Sequence, residues 1–383
     1  MRYKQIAAPV ILVSLPCIIF EGLLPLYTEQ LNFTTLEMTM LFSVFALSGL
    51  IMRLIMGALS DRFSRRFLLL LSLSVYGAAY LALSVAVTMP QLMAARLIQG
   101  AAGILLNISA VGFILDGNGS FAQGMGRFDS NRNFGGMIGV GVAFLIFMNH
   151  DLMSGWKLFY LCSAGAAVMG FLYCIYKVER AAKTFSQDSK PVAFTKEKQK
   201  IWFLNLFLCL LLSMIGVLLI PFVKAAFDVD MMELATVFFL PMVASSLLGP
   251  NLGRIGDHFG YRKVIVLSSI LAAAMSAAVV IFRSLSAFEV LWTAYIMSVS
   301  ALDYSLDAMF IEGIEERMIG AYYGKYTFGS SLGHIIGPVL GGSLFDLWGI
   351  NVPYLAFAVQ MLVFALCFGL LLPKSRKSLD NNL

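Results

Sequence analysis

Along most of the chain, apolar residues run on for twenty or more positions without alternation and then give way to a few polar ones. Runs of about 20 apolar residues match the hydrocarbon core of a bilayer crossed by a helix. A membrane β-barrel would instead alternate with period two. Hydropathy places twelve spans near residues 6–26, 38–60, 67–87, 91–116, 132–149, 157–177, 201–224, 233–254, 263–283, 289–311, 325–347 and 353–373. One long polar stretch, 178–200 (VERAAKTFSQDSKPVAFTKEKQK), follows the sixth span. It divides the chain into a bundle over 1–177, a linker over 178–200 and a bundle over 201–383. The expected fold is an all-α membrane protein, with twelve transmembrane helices in two pseudosymmetric six-helix bundles. The first span contains Pro9 and Pro16 and no small-residue cleavage site follows it, which argues against a cleaved signal peptide.

Composition agrees. The chain of 383 residues is 59% hydrophobic and 13% charged, against about 25% charged in soluble domains. Too little polar surface remains for a soluble enzyme, a nucleic-acid binder or a disordered chain. The net charge of +5 matters less than its distribution. With the N-terminus inside, 22 of the 27 Lys and Arg residues fall in inner segments and three in outer ones. Both termini are therefore expected on the cytoplasmic side of a plasma membrane. The compact loops point to a bacterial inner membrane. The five cysteines sit in apolar runs and the three histidines are scattered, so neither metal nor cofactor is expected. No nucleotide-binding or catalytic motif is found, so the chain does not read as an enzyme. A monomer is expected.

The two halves repeat one another. GALSDRFSRR (57–66) follows the second span, and GRIGDHFGYRK (253–263) follows the eighth. Asp61 and Asp257 are 196 apart, as are Asp116 and Glu312. Gly126, Gly135 and Gly139 match Gly324, Gly333 and Gly337 at an offset of 198. Duplicated bundles are a secondary-transporter design, with the site near the bilayer midplane.

On these residues the sequence resembles the major facilitator superfamily over its whole length. The family loop G-x-L-x-D-R-x-G-R-R/K appears as Gly57, Leu59, Asp61, Arg62, Arg65 and Arg66, with Ser64 in place of the second glycine. Its second copy has Gly253, Asp257, Gly260, Arg262 and Lys263, with Ile255 in place of leucine. The fourth-span R-x-x-Q-G motif is Arg96, Gln99 and Gly100. The resemblance implies an inner gate in which Asp61 meets the eleventh span and Asp257 the fifth. It further implies that Arg65 pairs with Asp116, and Arg262 with Glu312. The eleventh span carries Gly333, Gly337, Pro338, Gly341 and Gly342, a set suited to helix packing or bending. In the drug–proton antiporter branch this pattern belongs to the fifth span, which here has Val140 where proline is expected.

Ionisable residues inside spans are the strongest functional lead, because burying them in a bilayer is unfavourable. Glu21 and Arg96 are expected at similar depth in the first and fourth spans, which by the resemblance face one another. Glu21 then reads as a proton-titratable group that Arg96 senses. Asp303 and Asp307 in the tenth span are four apart and share one face. They read as a proton carrier or as a site for a cationic group, and they suit neutral or cationic cargo. Arg53 is expected to snorkel to the inner interface. The whole reads as a proton-coupled secondary transporter of a small molecule, acting by alternating access and exporting amphipathic compounds. The runner-up is proton symport of a sugar, nucleoside or other small metabolite. A transporter-like receptor that moves nothing is the alternative from another class.

Overall fold

The computed structural model describes residues 5–17, 19–33, 35–59, 63–115, 120–178, 194–227, 229, 231–315 and 318–371. Within them, nothing is said of the side chains at 21, 22, 25, 29, 35, 36, 38, 39, 54, 56–59, 231, 232, 234, 235, 319–321 and 371. The described residues form helices and no strand. In order these are α1 (Ala7–Val13), α2 (Ile19–Gln30), α3 (Thr35–Leu59), α4 (Arg65–Val85), α5 (Met89–Leu115), α6 (Phe121–Phe147) and α7 (Leu152–Lys177). There follow α8 (Lys196–Gly216), α9 (Leu219–Phe227), α10 (Met231–Phe259), α11 (Tyr261–Ile281), α12 (Leu285–Ile311), α13 (Ile319–Trp348) and α14 (Val352–Leu371). Among the described residues, eight stretches are long and apolar enough to cross a membrane, α8 and α9 counting as one. Pairing α1 with α2 and α8 with α9 turns the helices into twelve passes.

The passes depart from the hydropathy reading at four places. The first span is interrupted after Val13 and resumes at Ile19, and Pro16 sits in the break. A proline has no N–H to donate and clashes with the preceding turn. The seventh breaks at residues 217–218 in the same way, with Pro221 in the first turn of α9. The fifth begins at Phe121 rather than near 132, and the eleventh at Ile319 rather than near 325. Polar residues such as Asp129, Asn131 and Arg132 lower local hydropathy without breaking a helix. Of the expected linker, 179–193 lies outside the described residues, while Thr195 caps α8 by accepting from Lys198 N.

The chain folds as two units. One comprises Met1–Gly119, Arg127–Lys190 and Glu315–Phe328; the other comprises Ser120–Gly126, Pro191–Ile314 and Gly329–Leu383. The start of α6 therefore groups with the second unit, and the start of α13 with the first.

In the first unit, α6 lies with its backbone directly on the broken first span. A Cβ at Gly135 would run into the Ile11 carbonyl, and one at Gly139 into the Leu15 carbonyl. The second unit repeats this with α13 on α8. There a Cβ at Gly333 would stand 2.6 Å from Leu206 O, one at Gly337 would strike Ser213 Oγ and Leu210 O, and one at Gly341 the Met214 carbonyl. Small residues permit such backbone approach between membrane helices. Gly342 differs from its neighbours, since nothing lies within 4 Å of its Cβ position. Pro338 sits inside α13, which stays helical through it.

Aromatic pairs fix the second pieces of the broken spans. Tyr27 of α2 stacks on Trp156 of α7 with centroids 3.9 Å apart and planes 6° apart. Tyr27 Oη donates to Ala86 O (2.7 Å) and Trp156 Nε1 to Leu83 O (2.9 Å), so neither buried polar tip is left unpaired. At the matching place in the second unit, Phe222 of α9 meets Tyr354 of α14 at 4.4 Å. Asp151 caps α7: its carboxylate accepts from Met153 N, Ser154 N and the Ser154 hydroxyl. Chiefly that hydroxyl holds the Asp151 carboxyl below the usual range.

Gly139→Ala and Gly337→Ala are each expected to destabilise the purified protein by about 1–3 kcal/mol, as overpacking does where the neighbour is backbone. Gly141→Ala and Gly342→Ala, with nothing within 4 Å, should leave it unchanged or raise it by up to about 1 kcal/mol through helix propensity. Thermal unfolding in detergent checks this, and equal effects at all four positions would remove the packing account.

Candidate functional site

The R-x-x-Q-G residues lie on one stretch of α5, facing α2 and α3. Arg96 is only 4% exposed. Its Nε donates to Leu41 O at 3.3 Å and its Nη1 to Gln99 Oε1 at 2.7 Å. Three rings surround the guanidinium carbon: Phe20 at 4.2 Å, Phe45 at 4.4 Å and Phe42 at 5.5 Å. Each cation–π contact of this kind contributes about 0.5–2 kcal/mol. Gly100 makes the arrangement possible, since a Cβ there would stand 2.5 Å from Phe45 O and 3.0 Å from the Ser48 side chain. Ser48 Oγ in turn donates to Leu97 O. The motif thus joins two backbones and holds one cation among rings. Nothing in the residue order singles out Phe20, Phe42 or Phe45 among 31 phenylalanines. Glu21 follows Phe20 on α2, and its side chain lies outside the described residues.

A second charged pair was missed because hydropathy began the fifth span too late. Asp129 and Arg132 are both inside α6, with Arg132 Nη1 3.8 Å from Asp129 Oδ1. Arg132 also meets the Cys17 thiol in the first-span break, and it stands 5.7 Å over the Phe128 ring. The available signal was the polar run Asp129-Ser130-Asn131-Arg132-Asn133 next to an apolar one. Arg53, expected to snorkel, donates from Nη1 to Thr327 O at 2.6 Å within the first unit.

On α12, Asp307 is buried at 7% exposure and Asp303 is half-buried. The helix keeps both on one side. Ser305 lies between them in sequence, and its Oγ would stand 2.7 Å from a Cβ at Gly256 of α10. Both aspartates make interactions and neither is unpartnered.

Of the repeated loop, Asp61, Arg62 and Asp116 lie outside the described residues, and Gly57 is described only as part of α3. Elsewhere the two copies perform the same task. Arg66, second residue of α4, donates to Ile175 O at 2.6 Å; Arg262, second residue of α11, donates to Gly369 O. Each acceptor lies two residues before its helix ends. A cation there satisfies a terminal carbonyl and meets the negative end of the helix dipole. The described acceptor of Arg262 is therefore this carbonyl. At Glu312, Lys198 occupies the end of α12, donating to Met309 O (3.3 Å), Glu312 O (2.8 Å) and Phe310 O. Arg65 packs its Cδ 2.8 Å from the Cβ position of Gly112, and its carbonyl accepts from Ser109 Oγ. Asp257 is exposed and accepts from Tyr261 Oη at 2.7 Å. Gly253 lets α10 touch α6: a Cβ there would strike the Ala122 carbonyl.

The substitution at Ser64 has a local explanation. Gly260 starts α11 with φ of +86°, whereas Ser64 starts α4 with φ of −67° and caps it by accepting from Phe67 N at 3.2 Å. One copy opens the helix through glycine's freedom, the other through an N-cap hydroxyl. Gly260→Ala is expected to destabilise by about 1–3 kcal/mol, the strain of a non-glycine residue at such a φ. Ser64→Ala should lose about 1 kcal/mol, the usual worth of an N-cap. Thermal unfolding with both variants reads the difference; a neutral Gly260→Ala would contradict it.

Known proteins share this arrangement. The model of the Major Facilitator Superfamily matches residues 10–201 and again 201–383. Quinolone resistance protein NorA of Staphylococcus aureus (strain MSSA476) is 22% identical over 351 residues, covering 88% of each chain. Multidrug resistance protein MdtG of Escherichia coli O17:K52:H18 is 23% identical over 357 residues, covering 88% of this chain and 85% of that one. Among solved structures, FucP in the outward conformation superimposes with a TM-score of 0.76 at 15% identity, over 96% of this chain and 98% of that one. It shows a shared fold.

Proposed function

The chain belongs to the Major Facilitator Superfamily, and from that premise we propose that it exports small amphipathic compounds in exchange for protons, by alternating access of its two bundles. The observation that carries this reading is the similarity, along 88% of the chain, to two proteins named for quinolone and multidrug resistance. Ionisable groups within the spans support coupling to a proton gradient. Arg96, Asp303 and Asp307 sit inside helices long and apolar enough to cross a bilayer, and Asp129 and Arg132 sit inside α6; such groups within spans usually mark ion or substrate paths.

In this reading Asp303 and Asp307 carry the proton. Two carboxylates four residues apart on one helix repel when both are ionised, which favours protonation of one of them. Arg96 has a different role. Held by a carbonyl, an amide and three rings, it senses the charge of Glu21, the titratable group on the neighbouring α2. The Asp61 and Asp257 loops form the inner gate. The protein acts as a monomer in a bacterial inner membrane, with both termini cytoplasmic.

The test is transport of an amphipathic dye panel by purified protein in liposomes, under a pH gradient of either sign. Export by exchange predicts dye accumulation inside when the liposome lumen is acidic, and loss of it when the gradient is reversed. Asp307→Asn is expected to lower gradient-driven flux by about tenfold or more, as loss of an essential proton carrier does. Glu21→Gln should reduce it as well. Unchanged flux and pH dependence in Asp307→Asn would sink the proton role. Flux with the opposite gradient sign would point to symport, and no flux with any gradient to a receptor.

A further inference from the structure

We propose that Arg132 binds the carboxylate of the transported compound, and that Asp129 is the internal carboxylate which the substrate displaces. This rests on the transport reading and sets its substrate class as amphipaths with an anionic group, in place of the neutral or cationic cargo that Asp303 and Asp307 suggested.

The first ground is depth. Arg132 lies eleven residues into the 27-residue helix α6, or about 16 Å along it at 1.5 Å per residue. Arg132 is thus near the middle of its helix, and transporters of this design hold their substrates near the middle of the membrane.

The second is exposure. At that depth the side chains of Arg132 and Asp129 are still 41% and 31% exposed. An arginine facing lipid at the midplane would be strongly disfavoured. It faces the protein side instead. Phe128, Arg132, Gly135 and Gly139 follow one stripe of α6, and both glycines lie against the carbonyls of the broken first span. Arg132 reaches Cys17 in that break, with the buried Tyr76 of α4 near enough to feel its charge. The exposed part of the guanidinium is the part that a ligand would meet.

The third is a fork only partly filled, by the Cys17 thiol and a long pair with Asp129. A guanidinium has five donors in a flat fork. The separation of 3.8 Å from Asp129 is beyond hydrogen-bond range, which ends near 3.2 Å. A carboxylate three residues away on the same helix cannot align with the fork, whereas a free carboxylate can approach in its plane and take two short bonds. Arg96 shows the contrast: seven residues into α5, it is only 4% exposed, with carbonyl, amide and ring partners in hand. Asp129 balances the charge when no ligand is present and competes with one that arrives.

The experiment measures equilibrium binding of tritiated 1-naphthylacetic acid and its methyl ester to the full chain in nanodiscs, without a gradient. The wild type should prefer the acid. Arg132→Gln is expected to weaken acid binding by about tenfold or more, the usual effect of removing one partner of a desolvated charge pair. Ester binding should change less than about twofold. Arg132→Lys should keep part of the acid preference, since a point charge lacks the fork. Asp129→Asn should tighten acid binding severalfold, a gain that a merely structural pair would not give. No acid preference in the wild type, equal loss of acid and ester in Arg132→Gln, or weaker acid binding in Asp129→Asn would each overturn the proposal. If Arg132→Gln does not fold, the lysine and Asp129→Asn arms decide. Acid-selective binding without gradient-driven flux would refute the transport reading alone; flux without acid selectivity would refute this proposal alone.

Discussion

Glycine contact with exposed backbone is the constraint on which the remainder of the structure depends. A span that breaks leaves N–H and carbonyl groups without helical partners inside a medium that offers no water. Such a break is tolerated where protein covers it. Here the first and seventh spans break, and the fifth and eleventh bring Gly135, Gly139, Gly337 and Gly341 onto the carbonyls at those levels. The broken pieces are then held from their other end by ring pairs, Tyr27 on Trp156 and Phe222 on Tyr354. Cys17 meets Arg132 because it lies in the first break, and Phe20 meets Arg96 because the chain resumes there.

The charges within the spans separate by how completely the protein answers them. Arg96 is enclosed by its own unit and has little left to offer a ligand. Arg132 is half answered, by a long ion pair and a thiol. The basic residues of the repeated loop form a third group. Arg66 and Arg262 commit their donors to the ends of α7 and α14, which gives the loop a structural duty in both copies besides the gate role proposed for its aspartates.

Much of this was legible in the residue order. The number of passes and the halves follow from spacing, whereas the match of Arg66, rather than Arg65, with Arg262 came from their shared carbonyl contacts. The equivalence of Tyr27–Trp156 with Phe222–Tyr354 does not follow from spacing either, because its two arms are offset by 195 and 198. A single offset search passes over it, and one pair joins a tyrosine to a tryptophan where the other joins a phenylalanine to a tyrosine. Asp129 was hidden for another reason. Hydropathy averages over a window, and the polar run at 129–133 moved the apparent start of the span past it. A helix does not need to be apolar on every side to remain a helix.

By itself the sequence determined a twelve-pass helical chain of two related halves in one known superfamily. Those properties depend on the length of apolar runs and on local motifs, and both are written along one dimension. The tertiary structure decided which glycine meets a carbonyl, which three of many phenylalanines enclose Arg96, and that nothing described lies within 4 Å of the Cβ position of Gly342. These depend on the rotation of one helix against another. A few degrees of rotation move a side chain from a carbonyl to lipid without changing any spacing in the chain.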